Sequence, residues 1–333
     1  MSQAALAPVP SARTGTLTVG GVADLRSIGV ARYARLLARA LAAEGISYPI
    51  VERRDPAQPA HVHLANSSRS LLRQSRLSQE PFVVTVHDVV PRTRALLPVY
   101  RALAYPQVTL LAAAAVVHTG WAADMLTGVA GRPRRLEVIP HPVPPRLVPD
   151  DRRTARRALG WPEEGLIAVL PGVIKSAKLV TEALAAGERT NGWQVALAGR
   201  VADSGLAREA AARGALVLPQ PDDLAYERAV VAADCVLCLR SRSVGETNGP
   251  LLDALGAGRA VVATRTGSIP EVAGDAALYC DGTVDALRAG LAALTDPSTR
   301  AEREAAAAAR GAPLTWEASA ASHAELFREV LDG

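Results

Sequence analysis

Short apolar runs alternate with amphipathic stretches along almost the whole chain. In the first half the runs are GTLTVGG, SYPIV, HVHLA, FVVTV and AAVVH, rich in valine and bounded by turn or polar residues. Between the first two lies ARYARLLARALAAEG, where Tyr33, Leu36, Leu37, Ala40 and Leu41 recur at i, i+3, i+4, i+7 and i+8. That spacing lines one face of a helix, which Gly45 ends. Short β-rich runs separated by helices predict a parallel sheet covered on both faces. The second half repeats the pattern: LIAVLPG, a helix from about Ala177 to Ala186, WQVALAG, a helix around Ser204 to Arg213, ALVLP, a helix across Asp223 to Ala232, DCVLCL, a short helix beginning at Pro250, AVVAT and AALYC. A second doubly wound unit is expected there. Between the two series, IPHPVPPRLVP places five prolines in eleven residues, too stiff for helix or strand interior, and reads as the linker. A helix from Asp296 to Arg310 follows, then an amphipathic tail helix in TWEASAASHAELFREVL. The expected division is an N-terminal unit over 1–145, a second unit over 146–311, and a tail over 312–333 that packs back on the first unit. Two facing α/β units leave a cleft at the carboxyl ends of both sheets, where open α/β sheets take ligands.

Composition narrows the class. The 333 residues, 49% of them hydrophobic, suffice for two cores. The start MSQAALAPVPSARTG lacks a charged segment followed by an apolar core, and the longest apolar run, near Val108 to Val117, is too short to span a bilayer. Three cysteines make no disulfide framework, so a cytoplasmic location is the expectation. The charge is uneven: residues 1–150 hold 17 arginines against 9 acidic residues, the rest 20 basic against 24 acidic. That basic half leaves peripheral association with an anionic membrane, or an acidic acceptor, open; scattered solvated arginines are the blander explanation, since no basic block occurs. Only two of the 37 basic residues are lysines, and both, Lys175 and Lys178, fall in one loop, PGVIKSAK. A compact ammonium is therefore wanted there in place of a guanidinium fork, and Gly172 at the turn would let the backbone approach a ligand.

The stretch GETNGPLLDALGAG lies between two apolar runs and carries the sharpest chemistry. Pro250 suits the first turn of a helix, with Gly249 as its cap. The backbone N–H groups of Leu251 and Leu252 would then face an anion at the positive end of the helix. Glu246 precedes that end, with Thr247 and Asn248 between, and Asp253 lies one turn inside. Carboxylates repel phosphate but accept hydrogen bonds from sugar hydroxyls, so a ligand with both groups, such as a nucleotide sugar, is indicated.

These residues carry a resemblance. Gly172 to Lys178, the segment AVVAADCVLCLRSRSVGETNGPLLDALGAGRAVVATRTGSIPEVAGDAAL, and the GETNG loop in particular, resemble the retaining glycosyltransferases of family 4, GT-B fold, in their GETSG variant. On the N-terminal side, Gly29 in SIGVARYARLL resembles the glycine that meets the donor, Asn66 a position seen in some members, and His87 with Asp88 the turn whose histidine faces the reacting sugar. The resemblance implies transfer of a hexosyl unit from a nucleoside diphosphate sugar to an acceptor hydroxyl with retention, without metal or cofactor. It assigns catalysis to Lys178, Glu246 and His87. The donor would be held by Gly29, Gly172, Lys175, Arg200, Thr247, Asn248, Gly249, Leu251, Leu252 and Asp253. The chain departs from the family at Val173, where an arginine is usual and for which Lys175 or Arg200 would substitute, and at Asp253, where a glutamate is usual. Those departures keep a second reading, a non-catalytic GT-B partner of another transferase, and an epimerase is a third; a pyridoxal phosphorylase would need a lysine outside the phosphate loop.

Other signals are structural in expectation. Cys235 and Cys238 form C-x-x-C inside an apolar strand and are read as core. His61 and His63 would share one face of a strand, with no carboxylate pair nearby to make a zinc site. His118 and His141 end strands and are candidates to line the cleft. LLPVYRALAYP reads as a core helix broken at Pro106, with a lipid-facing amphipathic segment as the alternative. No dinucleotide fingerprint, P-loop or nucleic-acid motif occurs, and the oligomeric state is open.

Overall fold

The computed structural model describes residues 16–65 and 80–331. Two six-stranded, all-parallel sheets form its frame. The first contains β1 (Gly20–Val22), β2 (Ile50–Val51), β3 (Ala60–Leu64), β4 (Phe82–Val86), β5 (Ala114–Val117) and β6 (Leu136–Val138), in the order 2-1-3-4-5-6. The second contains β7 (Leu166–Pro171), β8 (Trp193–Gly199), β9 (Leu216–Pro219), β10 (Cys235–Cys238), β11 (Ala260–Thr264) and β12 (Ala277–Cys280), in the order 12-11-10-7-8-9. Both orders reverse once, between β1 and β3 and between β7 and β10, which are the places where such sheets open a ligand crevice.

Helices cover both faces. The Ile28–Ala43 helix ends at Glu44, with Gly45 following at φ +73°. Its Tyr33, Leu37 and Leu41 are buried against Val83, Val116 and the C-terminal helix Trp316–Leu331, which contributes Ala320, Ala324, Leu326 and Phe327 to the same core. That last helix therefore completes the first sheet, not the second. Each fully buried side chain of Phe or Leu size there contributes roughly 1.5–3 kcal/mol. The proline-rich linker runs between the halves and is tied down on both sides. Val143 N–H donates to Leu314 O, Trp316 Nε1–H to Val143 O at 3.0 Å, and Leu147 N–H to the Glu227 carboxylate at 2.7 Å.

The second sheet packs apolar on both faces. Cys235 and Cys238 fall into cores on opposite faces, as two residues three apart in a strand must, so they share no ligand. All three cysteines are buried thiols. At the strand starts Asp234 accepts from Ile167 N–H at 2.8 Å and is ion-paired with Arg156, both nearly sealed from water.

One expectation is overturned. Pro106 does not break its helix: helical structure continues from Arg94 to Leu111, with π-type turns over Tyr100–Ala104 and Gln107–Leu111 on either side. A π turn shifts the bonding pattern by one residue, so the missing proline N–H and the ring's clash with the preceding turn are absorbed. Tyr100, Ala104 and Val108 face the core while Leu110 and Leu111 are exposed. No helix among the described residues is long and apolar enough to cross a membrane.

Candidate active site

A cleft of about 1250 Å³ lies between the carboxyl ends of the two sheets. Its first wall includes Ser27, Gly29, Arg32, Tyr33, Asp88 and Arg92; its second, Gly172, Arg200, Gln220, Tyr226, Gly249, Leu252 and Asp253. Of the residues expected at the site, Gly29, Gly172, Arg200, Gly249, Leu252 and Asp253 line this space. Val173, where the family arginine is absent, lines it too. Lys175, Lys178, Glu246, Thr247, Asn248, Leu251 and His87 stand behind that surface.

The two motifs of the opposite walls meet through backbone. Val90 N–H, just after His87 and Asp88, donates to Val244 O at 3.0 Å, just before the GETNG loop. Gly245 has φ +95°, and a methyl there would overlap Val89, so only glycine permits this approach. A second bridge comes from GSIPE: the Glu271 carboxylate accepts from Gly120 N–H at 2.7 Å and Trp121 N–H at 2.8 Å, capping the Gly120–Ala130 helix of the other half. Beneath the cleft floor, Gly199 packs so closely on the Gly172 carbonyl that any side chain would overlap it.

The helix over the GETNG loop differs from expectation at its start. It spans Gly249–Gly256 and is capped by Asn248, whose Oδ1 accepts from Leu251 N–H at 3.3 Å. Asparagine has the side-chain acceptor that glycine lacks, so the cap falls one residue earlier. Leu251 and Leu252 N–H groups also bond to Asn248 O. They are thus already engaged and do not serve as the anion donors. The groups left over are Gly249 N–H, unpartnered among the described residues, and the buried Asn248 Nδ2, which has no acceptor.

Behind the loop, cations crowd one carboxylate. Glu246 is 8% exposed. It pairs with Arg240 and accepts from Ser243 Oγ–H at 2.8 Å and Val244 N–H at 2.7 Å. Burial pushes its carboxyl up, but Arg240 and these donors outweigh that and hold it below the ordinary value. Lys178, on a single 3-10 turn over Ser176–Lys178, is buried; burial first, then Arg240, pulls it down to about 7. Lys175 is lowered by burial and then by Arg92 of the opposite wall. The surplus of positive charge, unbalanced by protein carboxylates, suits a diphosphate. Asp253 is pushed up to about 6 by burial, opposed by the Tyr226 hydroxyl, which donates to Oδ2 at 2.8 Å, and by Arg32.

His87 makes its contacts inward. Its Nε2 lies 3.0 Å from His63 Nδ1 and its Nδ1 3.4 Å from His118 Nε2. His141 and Tyr33, not His87, carry that aromatic cluster to the cleft. Asn66 lies outside the described residues. Sequence reasoning missed Arg240, Tyr226, Arg32 and Gln220. Arg240 alone left a trace, as the polar residue directly ending DCVLCL; Gln220 is in a left-handed conformation at φ +50°, invisible in sequence.

No family model matches the chain, and no curated protein does. Solved structures do. A glycosyltransferase from Rickettsia africae superposes with a TM-score of 0.74 at 12% identity, covering 96% of this chain and 100% of its own. Anabaena HepE in complex with UDP and glucose gives 0.75 at 14% identity, covering 94% and 100%. Sucrose-phosphate synthase from Thermosynechococcus elongatus gives 0.74 at 16% identity, covering 95% and 99%. The fold is GT-B. Its two facing Rossmann-like units account for the interdomain position of the cleft. In this GT-B chain Gly172, Gly249 and Asp253 are contributed by the second unit.

Proposed function

We propose that this chain is a retaining glycosyltransferase that moves a hexosyl unit from a nucleoside diphosphate sugar to an acceptor hydroxyl, without a metal. The observation that carries the reading is the cleft at which both sheet reversals meet, with a cation-rich loop behind Gly172 and Gly249 and a carboxylate, Asp253, beside them. Gly249 N–H, Asn248 Nδ2, Lys178 and Lys175 would take the diphosphate, and Asp253, held by Tyr226, the ribose diol. Glu246 orients Arg240 and the loop. In the transfer step the acceptor oxygen bonds to the anomeric carbon on the face from which the phosphate oxygen departs. The acceptor proton passes to that phosphate oxygen, and preorganised cations stabilise the charge that develops. HepE was crystallised with UDP, with UDP and glucose, and with UDP-glucose, so a uridine nucleotide is the first donor to try.

A thermal-shift panel of UDP, GDP, ADP and dTDP sugars selects the donor, since a bound ligand raises stability as RT ln(1 + [L]/Kd). Transfer to an acceptor is then followed with and without chelator, and the anomer of the product is read by NMR. Lys178→Ala is expected to lower turnover on the order of 10²–10³-fold with the fold intact. Wild-type turnover by that variant, or strict dependence on a divalent metal, would count decisively against the mechanism. Tight nucleotide binding with no sugar release to any acceptor would favour the non-catalytic partner instead.

A further inference from the structure

All six histidines of the chain, at 61, 63, 87, 118, 141 and 323, lie in one group inside the first half, although they come from four strand or strand-end positions, the linker and the last helix. Four of them join through Tyr48 into a single hydrogen-bonded chain. Thr85 Oγ1 lies 2.6 Å from His61 Nε2. Tyr48 Oη lies 2.7 Å from His61 Nδ1 and 2.8 Å from His63 Nε2. His63 Nδ1 lies 3.0 Å from His87 Nε2, His87 Nδ1 3.4 Å from His118 Nε2, and His118 Nδ1 2.9 Å from Ile139 O.

The last link decides all the others. A carbonyl oxygen only accepts, so His118 carries its proton on Nδ1. In a neutral ring Nε2 is then an acceptor, and His87 must donate to it from Nδ1. His87 Nε2 accepts in turn from His63 Nδ1–H, and His63 Nε2 from the Tyr48 hydroxyl. Tyr48 Oη accepts from His61 Nδ1–H, and the Thr85 hydroxyl donates to His61 Nε2. One proton fills each link and all point the same way. Turning any single ring over would set two N–H groups, or two lone pairs, against each other.

We propose that His118 is a positioning residue for His87: anchored on the Ile139 carbonyl, it locks His87 as the neutral Nδ1–H tautomer with both nitrogens engaged. His87 then offers the cleft no free imidazole base. This rests on the transferase reading above and sharpens it, because the acceptor proton has no protein base at His87 and passes to the leaving phosphate oxygen. Burial supports neutrality. It draws His63 to about 3 and lowers His87, with neighbouring histidines adding to both, and it draws His118 to about 4 against the Ile139 carbonyl. The groups facing the chain are Tyr33 and Arg32 from the Ile28–Ala43 helix, His141 from the linker, and Trp316, Ser319 and His323 from the last helix. Asp88, next to His87, is paired with Arg92, and no carboxylate bonds a ring nitrogen among the described residues.

The test is histidine-selective ¹⁵N NMR on the full chain. Only six ring systems need assigning, by single His→Gln variants. At pH 7.5 the wild type should show Nδ1 protonated and Nε2 bare at His61, His63, His87 and His118. His118→Phe removes the anchor, so the chain can run either way and His87, His63 and the distant His61 should all shift together to mixed tautomers. His118→Gln, whose carboxamide both accepts and donates, should restore the wild-type pattern at His87. Tyr48→Phe cuts the chain on the far side and should leave His87 unchanged. In transfer assays His118→Phe, unlike His118→Gln, should add an acid limb to the pH profile of kcat/KM. Protonation on Nε2 of His87 in the wild type, or a His118→Phe spectrum equal to wild type at His87 and His61, would overturn the proposal. The wild-type spectrum alone is decisive should the phenylalanine variant fail to fold. A locked His87 in a chain that transfers no sugar would instead sink the reading of the cleft and leave the lock standing.

Discussion

The two halves of this protein share an architecture and differ in what they bury. The second sheet is sealed by Val, Ala, Leu and Cys on both faces, and its buried ion pair, Arg156 with Asp234, sits at the strand starts, away from the cleft. The first sheet buries a continuous polar array: His61, His63, Thr85 and His118, with Tyr48 and His323. An apolar core tolerates loose specification, because any shape of the right volume fills it. A polar core does not, because each group needs a partner of the right kind. The first half should therefore be the more fragile to proton concentration, and the second half to loss of its few charges.

Acid gives the largest expected separation between the halves. His63, His118, His141 and His323 are held neutral, at about 3 to 4, first by burial. Above pH 6.5 these groups are neutral folded or unfolded. Below it the unfolded chain takes protons that the folded chain refuses, and each group forfeits about 1.4 kcal/mol per pH unit until its folded value is reached. Stability should thus fall by several kcal/mol between pH 6.5 and 5.5. Hydrogen exchange should place the first opening in β3 to β5 and the C-terminal helix; exchange that starts in the second sheet would invert the comparison. Next in size, Asp234→Ala should cost about 3–5 kcal/mol by leaving Arg156 buried and unpaired, measured by urea unfolding. Its effect on the histidine spectrum should be nil. Smallest is the contact that joins the halves. Glu271→Gln keeps the shape but weakens two charge-assisted caps on the Gly120–Ala130 helix, worth about 1 kcal/mol. Small-angle scattering should then report a larger radius of gyration, with melting little changed.

The second half's wall of the cleft was legible because its parts are contiguous. The turn at Gly172, the lysine pair and GETNGPLLD each lie within about ten residues, so local rules of turn and helix start place them, to within the one-residue shift of the cap from Gly249 to Asn248. The shift mattered, since it engaged Leu251 and Leu252 N–H and left Gly249 N–H and Asn248 Nδ2. The first half's wall was legible only as strands. His61 and His63 were expected on one face, and they share Tyr48. What they meet there depends on which strands are neighbours, and alternation along a strand says nothing of strand order. Glu246 and Lys178 rest on the resemblance, which says nothing of how Arg240 turns Glu246 inward or how burial draws Lys178 down to about 7.

By itself the sequence determined two α/β units, the linker, the helix faces and the loop and helix start at GETNGP, because periodicity and turn chemistry act over a few residues. Tertiary structure alone decided the two strand orders, the Val90 to Val244 bridge, and the direction of the histidine chain. Those depend on atoms brought together from distant positions, and a hydrogen bond, falling off within a few tenths of an ångström, exists only once the fold has set the distance.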